Sequence, residues 1–244
     1  MIQRGFGFLL LVILFSSCSK EIADCFKNRG SFTQDKRALS GFTQIVVNDK
    51  IDLILIKDSL NDEFAMVEGW RNLLPEISLT VSNGVLNISD NNTCNFVRDL
   101  NNRTTVKVHF KQLLQLDVHD DATASSGQRL YLDSLVITNH GVNDLQLDMV
   151  LKGTLTTFQK SANNIILRGH APVFVTVTND VSSMDASAFT GDYTYVFQDS
   201  PRDCFVNPVK VLGGTISYSG NVYYYTIPKQ ISIIRKSSGN YFKK

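Results

Sequence analysis

The chain has few cysteines, no strong charge of either sign and no long apolar run, and each shortage closes off a class of protein. Its 244 residues carry 24 basic and 23 acidic side chains, a formal net charge of +1. The basic residues are scattered, with no strongly basic face or tail, which argues against nucleic acid as a partner. The four cysteines include no CxxC pair and no Cys/His cluster at ligand spacing, so neither a structural zinc site nor any other cofactor is expected. Glycine-rich phosphate loops and nucleophile-elbow sequences are missing too. The apolar run Phe6–Phe15 is too short to span a bilayer, which takes about 20 apolar residues. Hydrophobic content of 43% and aromatic content of 10% nevertheless provide for a folded body.

The short run has a meaning of its own. Arg4, the apolar FGFLLLVILF and the small residues Ser16-Ser17 form a secretory signal peptide over residues 1–17. Cys18 follows directly, as in a lipoprotein, where cleavage exposes a cysteine that carries acyl chains; ordinary secretion is the alternative. The expected location is the cell envelope, as an outer-membrane lipoprotein facing the periplasm or the surface. Cys25, Cys94 and Cys204 then remain, an odd number in an exported protein. One disulfide and one free thiol is the simplest outcome, with three pairings open.

Residues 18–36 are polar and without period, and read as a tether. From Arg37 the texture changes. IVV at 45–47, IDLILI at 51–56, FAMV at 64–67, ISLTV at 77–81, VLNI at 85–88 and TVKVHF at 105–110 are short β-branched runs between polar residues, the pattern of consecutive strands. Val106, Val108 and Phe110 alternate with Lys107 and His109, giving one buried and one wet face. Asn83-Gly84 marks a hairpin. A helical turn fits only near Trp70–Leu74, where Pro75 would end it.

The second half repeats with a step of 20 residues. Leu135–Asn139, Leu155–Gln159, Val175–Asn179 and Tyr195–Asp199 align, each apolar first and amide or acid last. A second short strand recurs at Leu145–Leu147 and Ile165–Leu167. Self-similarity of this period, carried by strands without amphipathic helices, specifies a β-helix. The expected organisation is a strand-rich portion over 37–115 and a β-helix with a C-terminal cap over 116–244. Stacking places Asn139, Gln159, Asn179 and Asp199 in one polar column and Asn143, Asn163, Ser183 and Asp203 in another, where amides satisfy turn backbone.

Three clusters are candidates for chemistry. His119-Asp120-Asp121 lies about one coil from His140, close enough for two imidazoles to approach, but a third ligand at matching spacing is missing. Asp180, Asp185, Asp199 and Asp203 could provide the carboxylate pair of a glycosidase, yet each sits where a turn residue is expected. Tyr218, Tyr223, Tyr224 and Tyr225 gather near the last coil. Tyrosine combines a flat apolar face with a polar tip, so this group is the candidate binding surface, with capping of the solenoid as the alternative.

The segments RALSGFTQIVVNDKIDLILI (37–56), VEGWRNLLPEISLTVSNGVLNI (67–88), NNTCNFVRDLNNRTTVKVHF (91–110) and GNVYYYTIPKQI (220–231) resemble, in this order, the head GIN domain family of auto-transporter adhesins (DUF2807), common in Bacteroidetes lipoproteins. The last departs from the family pattern in having Thr226 where glycine follows the tyrosine. The resemblance implies an all-β, right-handed parallel β-helix-like body and a role in adhesion without catalysis. The partners to expect are a membrane, through the lipid, and an extracellular protein or glycan. A carbohydrate-active enzyme and a passive structural component of the envelope are the alternatives.

Overall fold

A computed structural model describes residues 28–57, 62–92 and 103–244. Each β-branched run of the N-terminal half becomes a strand. The strands of this half are β1 (Phe32–Ala38), β2 (Gln44–Val47), β3 (Ile51–Lys57), β4 (Phe64–Trp70), β5 (Ile77–Ser82), β6 (Val85–Asp90) and β7 (Thr104–Phe110). In β7 the residues Val106, Val108 and Phe110 are buried and Lys107 and His109 half-buried, as the alternation requires. Asn83 and Gly84 both take positive φ, 51° and 79°, in the two-residue turn between β5 and β6.

Two features differ from the sequence reading. Phe32–Lys36, read as the end of a tether, pair antiparallel with β4 as part of β1. The helical turn falls at Leu74–Glu76 as a 3-10 turn that includes Pro75, because proline is well tolerated in a first turn, where its N–H has no partner to lose.

From Gln115 the chain winds as a solenoid. Its strands are β8 (Gln115–Val118), β9 (Thr123–Ser126), β10 (Leu130–Leu132), β11 (Leu135–Asn139), β12 (Leu145–Leu151) and β13 (Thr154–Gln159). They continue as β14 (Asn164–Asn179), β15 (Ser183–Asp199), β16 (Cys204–Ile216), β17 (Val222–Tyr224), β18 (Gln230–Arg235) and β19 (Tyr241–Lys243). All these pairings are parallel, the architecture the repeat implies. One face stacks β8, β11, β13 and the second halves of β14, β15 and β16, ending at β18. A second stacks β9, β12 and the first halves of β14, β15 and β16, ending at β17 and β19. The long strands turn a corner. Gly169, at φ 115° inside β14, makes that bend, and a Cβ there would lie 1.9 Å from the Met149 carbonyl oxygen.

The N-terminal strands join the same two faces out of chain order. β2 lies between β6 and β8, and β3 between β7 and β9, so the β2–β3 coil is enclosed by segments made later in the chain. Beyond it the stack ends in antiparallel pairs, β5 on β6, and β4 on β7 with β1 outermost. One continuous apolar core, from Phe42 through Phe174 and Phe189 to Val222, runs inside.

Within the four aligned repeats the 20-residue step slips between the second and the third. Leu135 faces Leu155, but Leu155 faces Phe174 rather than Val175. A one-residue slip exchanges the two faces of a strand. The buried polar column is therefore Asn139, Gln159, Thr178 and Gln198, all within 1% of complete burial, while Asn179 and Asp199 lie outside it. The hydroxyl of Thr178 donates to Gln198 Oε1, and Gln159 Nε2 donates to the Ser183 carbonyl at 2.6 Å. The second column is likewise shifted, with Asn164, Ser183 and Asp203 in register. In it the Asp203 carboxylate accepts the Asn221 N–H at 2.9 Å, and Asn221 Oδ1 accepts that of Asn240 at 3.0 Å. Asp203 and Asn221 thus each satisfy a backbone amide of the next coil.

Candidate functional site

The four tyrosines divide. Tyr218 and Tyr225 are 51% and 36% exposed, whereas Tyr224 packs against the core. Tyr223 stands in an outward ladder, stacked on Phe205 at 5.3 Å and tilted against Phe242 at 5.7 Å. Lys244 Nζ lies 4.8 Å from the Phe205 ring centroid and 5.3 Å from that of Tyr223. The cluster read as one surface is partly core and partly two separate exposed positions.

A larger outward surface lies on the first face. Parallel register aligns Thr156, Val175, Tyr195, Gly213 and Ser232 in one row across five strands. Flanking rows run Thr154, Val173, Tyr193, Val211 and Gln230, and Phe158, Val177, Phe197, Thr215 and Ile234. Phe158, Tyr193 and Phe197 are 43%, 41% and 43% exposed, and Ile234 is more exposed still. Strand spacing and rise make this a flat area of roughly 19 by 13 Å, largely apolar. Tyr195 lies over Gly213, where a Cβ would come 3.1 Å from its ring. Beside it Lys210 pairs with Asp192 at 2.9 Å and reaches over the Tyr193 ring at 5.5 Å; the carboxylate raises the lysine pKa. Sequence reading missed this surface because YTYVF has apolar residues at both parities. Only the register turns Thr194 and Val196 inward and the three aromatics outward.

His119 and His140 do approach, with ring centroids 5.4 Å apart and planes 8° from parallel. Among the described residues no group of three or more His, Cys, Asp or Glu side chains is arranged to hold a metal ion. Neighbouring carboxylates serve the turns instead, as where Asp121 accepts from Asn143. Asp180 and Asp199 share a shallow depression with Tyr218, but Asp180 sits at φ 55° and accepts the Ser161 N–H at 3.1 Å. Asp185 accepts from Ser187, and Asp203 from Asn221. Asp180, Asp185 and Asp203 are thus engaged by neighbouring backbone or side chains, and the shallow depression gathers Asp180 and Asp199 alone of the four.

Cys204 is a free thiol with no exposed surface, and burial raises its pKa, with Asp203 and Asp185 adding to the effect. Cys18, Cys25 and Cys94 lie outside the described residues. Among the described residues no helix is long and apolar enough to cross a membrane.

The family model described as "Putative auto-transporter adhesin, head GIN domain" matches residues 41–228. The chain belongs to the head GIN domain family. Solved structures agree with this in fold. A "putative adhesin" of Bacteroides fragilis NCTC 9343 superposes with a TM-score of 0.75 at 16% identity, covering 88% of this chain and 97% of that one. A "putative adhesin" of Parabacteroides merdae ATCC 43184 gives 0.61 at 14% identity, over 87% and 97%. A "Putative lipid binding protein" of Parabacteroides distasonis ATCC 8503 gives 0.63 at 15% identity, again over 87% and 97%. No curated protein matches. At such identities the likeness is one of fold, so the head GIN domain's working surface has to be argued from its own side chains.

Proposed function

We propose that this head GIN domain is a non-catalytic adhesion or binding module of the cell envelope, held by lipid on Cys18 and engaging an extracellular protein or glycan through its outward faces. The observation that carries this reading is the flat aromatic and β-branched area around Tyr193, Tyr195 and Phe197. A soluble solenoid satisfies its core without placing three aromatic rings outside, and an exposed apolar patch of this kind marks a contact surface.

An anchor on the N-terminal side fits the same reading. Strand β1 lies at one end of the stack, and β18 and β19 at the other. From β1 to β19 there are about ten strand spacings, roughly 48 Å. A tether leaving from β1 would hold the last coils away from the membrane.

Arrays of glycans and matrix proteins, probed with the full chain, test the binding role. Binding is expected and should be lost in Tyr193→Ser/Phe197→Ser, two exposed positions whose change leaves the core intact. No binding at any concentration would sink the reading. Metabolic labelling with a clickable fatty acid tests the anchor, which is refuted if wild type and Cys18→Ala label equally.

A further inference from the structure

We propose that the second face binds an acidic polysaccharide, with a sugar carboxylate on Arg168 and the chain running along the solenoid axis. This rests on the binding-module reading and names the chemistry of the partner.

Parallel register draws a straight outward line on that face through Ser125, Gln146, Ile166, Asp185, Phe205, Tyr223 and Phe242. It crosses seven strands, about 29 Å at the usual spacing. Near its start lies an open cleft of about 290 Å³ whose lining includes Ser125, Gln146, Arg129, Asp148 and Arg168. Arg129 closes a two-point fork on Asp148, at 2.8 and 3.3 Å. Arg168 stands opposite Asp148 in the next strand, is exposed, and makes no hydrogen bond or ion pair among the described residues. The only carboxylate of the cleft lining is therefore taken by Arg129, and Arg168 leaves the cleft an unmatched positive charge. A planar guanidinium takes a carboxylate through two parallel hydrogen bonds. The hydroxyl and amide groups around it suit the hydroxyls of a sugar.

Charge along the chain points the same way. After Asp203 there are six basic residues and no acidic one, so the near-neutral total conceals a basic C-terminal end. Lys244, over the Phe205–Tyr223 ladder, brings that charge to the far end of the line. The line runs across strands whose backbones already pair on both sides, so an acidic peptide finds no open edge to join there. Asp185 stands mid-line and opposes an anion.

Calorimetry on the full chain with polygalacturonate, its methyl ester, dextran and polyglutamate tests the site. Polygalacturonate should bind, more weakly as salt rises, and the ester and dextran should not. Arg168→Gln should weaken binding about tenfold, as loss of one charged contact predicts, and Arg168→Lys should restore part of it. Asp185→Asn should tighten it, and Lys152→Gln, at an exposed pair elsewhere, should change nothing. Equal affinity for the ester, or an unchanged Arg168→Gln, overturns the proposal, and tighter binding of polyglutamate replaces the sugar with an acidic peptide. If an array partner binds while polygalacturonate does not, this inference falls and the binding-module reading stands. If neither binds, both fall.

Discussion

Thr178→Val tests the one-residue slip that sets the buried polar column. Valine fills the same space without the hydroxyl, so the change leaves packing alone and removes the donor to Gln198 Oε1. An acceptor orphaned in the interior costs about 1–3 kcal/mol. Gln198→Leu goes further, since its Nε2 also donates to the carbonyls of Ser200 and Arg202. Three groups then lose a partner, and the loss should reach about 3 kcal/mol or more. The bond between the two side chains is lost in each single variant but only once in the double. The double variant should therefore fall short of the summed losses by about 1–2 kcal/mol. Asn179→Ala is the control. Asn179 is half-buried and donates to the Gln159 carbonyl at 3.1 Å, so its loss should cost about 0.5–1.5 kcal/mol. Urea unfolding followed by far-UV circular dichroism measures all four. An unbroken 20-residue period would put Asn179 in the column and Thr178 outside. A neutral Thr178→Val together with a costly Asn179→Ala would therefore refute the register described here.

Other positions make equally specific claims. Gly169→Ala should lower Tm by roughly 4–8 °C or more, corresponding to at least about 2 kcal/mol, because its Cβ would meet the Met149 carbonyl; an unchanged Tm would deny the tight corner. Cys204 should resist alkylation until the protein unfolds. Its raised thiol pKa also fixes a sign: the folded state keeps a proton that the unfolded chain releases above about pH 8.5. The contribution of this group is thus complete below that pH and declines above it by about 1.4 kcal/mol per pH unit. The advantage of wild type over Cys204→Ala in urea midpoint should shrink accordingly as pH rises through the alkaline range, and parallel curves would contradict the burial argument.

How much of this was legible depended on whether the signal was local. Val106, Val108 and Phe110 announce their parity because charged or polar residues separate them, and Asn83-Gly84 announces its turn because few other pairs accept two positive φ angles. The solenoid was readable from its period, and Leu135 does face Leu155. The slip at Phe174 was not. VFVTVTN presents an apolar residue at either parity near its start, and what decides between them is the fit of Phe174 against Phe189, a contact 5.3 Å across the core. The same ambiguity hid the outward surface at Tyr193, Tyr195 and Phe197. His119 and His140 were brought near each other by spacing alone, but whether a site results depends on neighbours from other coils.

The enclosed β2–β3 coil has a consequence for how the molecule comes apart and comes together. In a simple solenoid either end can peel one coil at a time, in chain order. Here that route is open from Lys244 backward, but from the other terminus it stops after β1, because β2 is held on both sides by strands about 40 and 70 residues further along. During synthesis the same strands must wait for Phe110 and then Ser126 before their pairing is complete, a long loop to close before any return. The N-terminal end therefore closes only when about half of the chain has been made, and a pull applied through it meets a clasp instead of a free end.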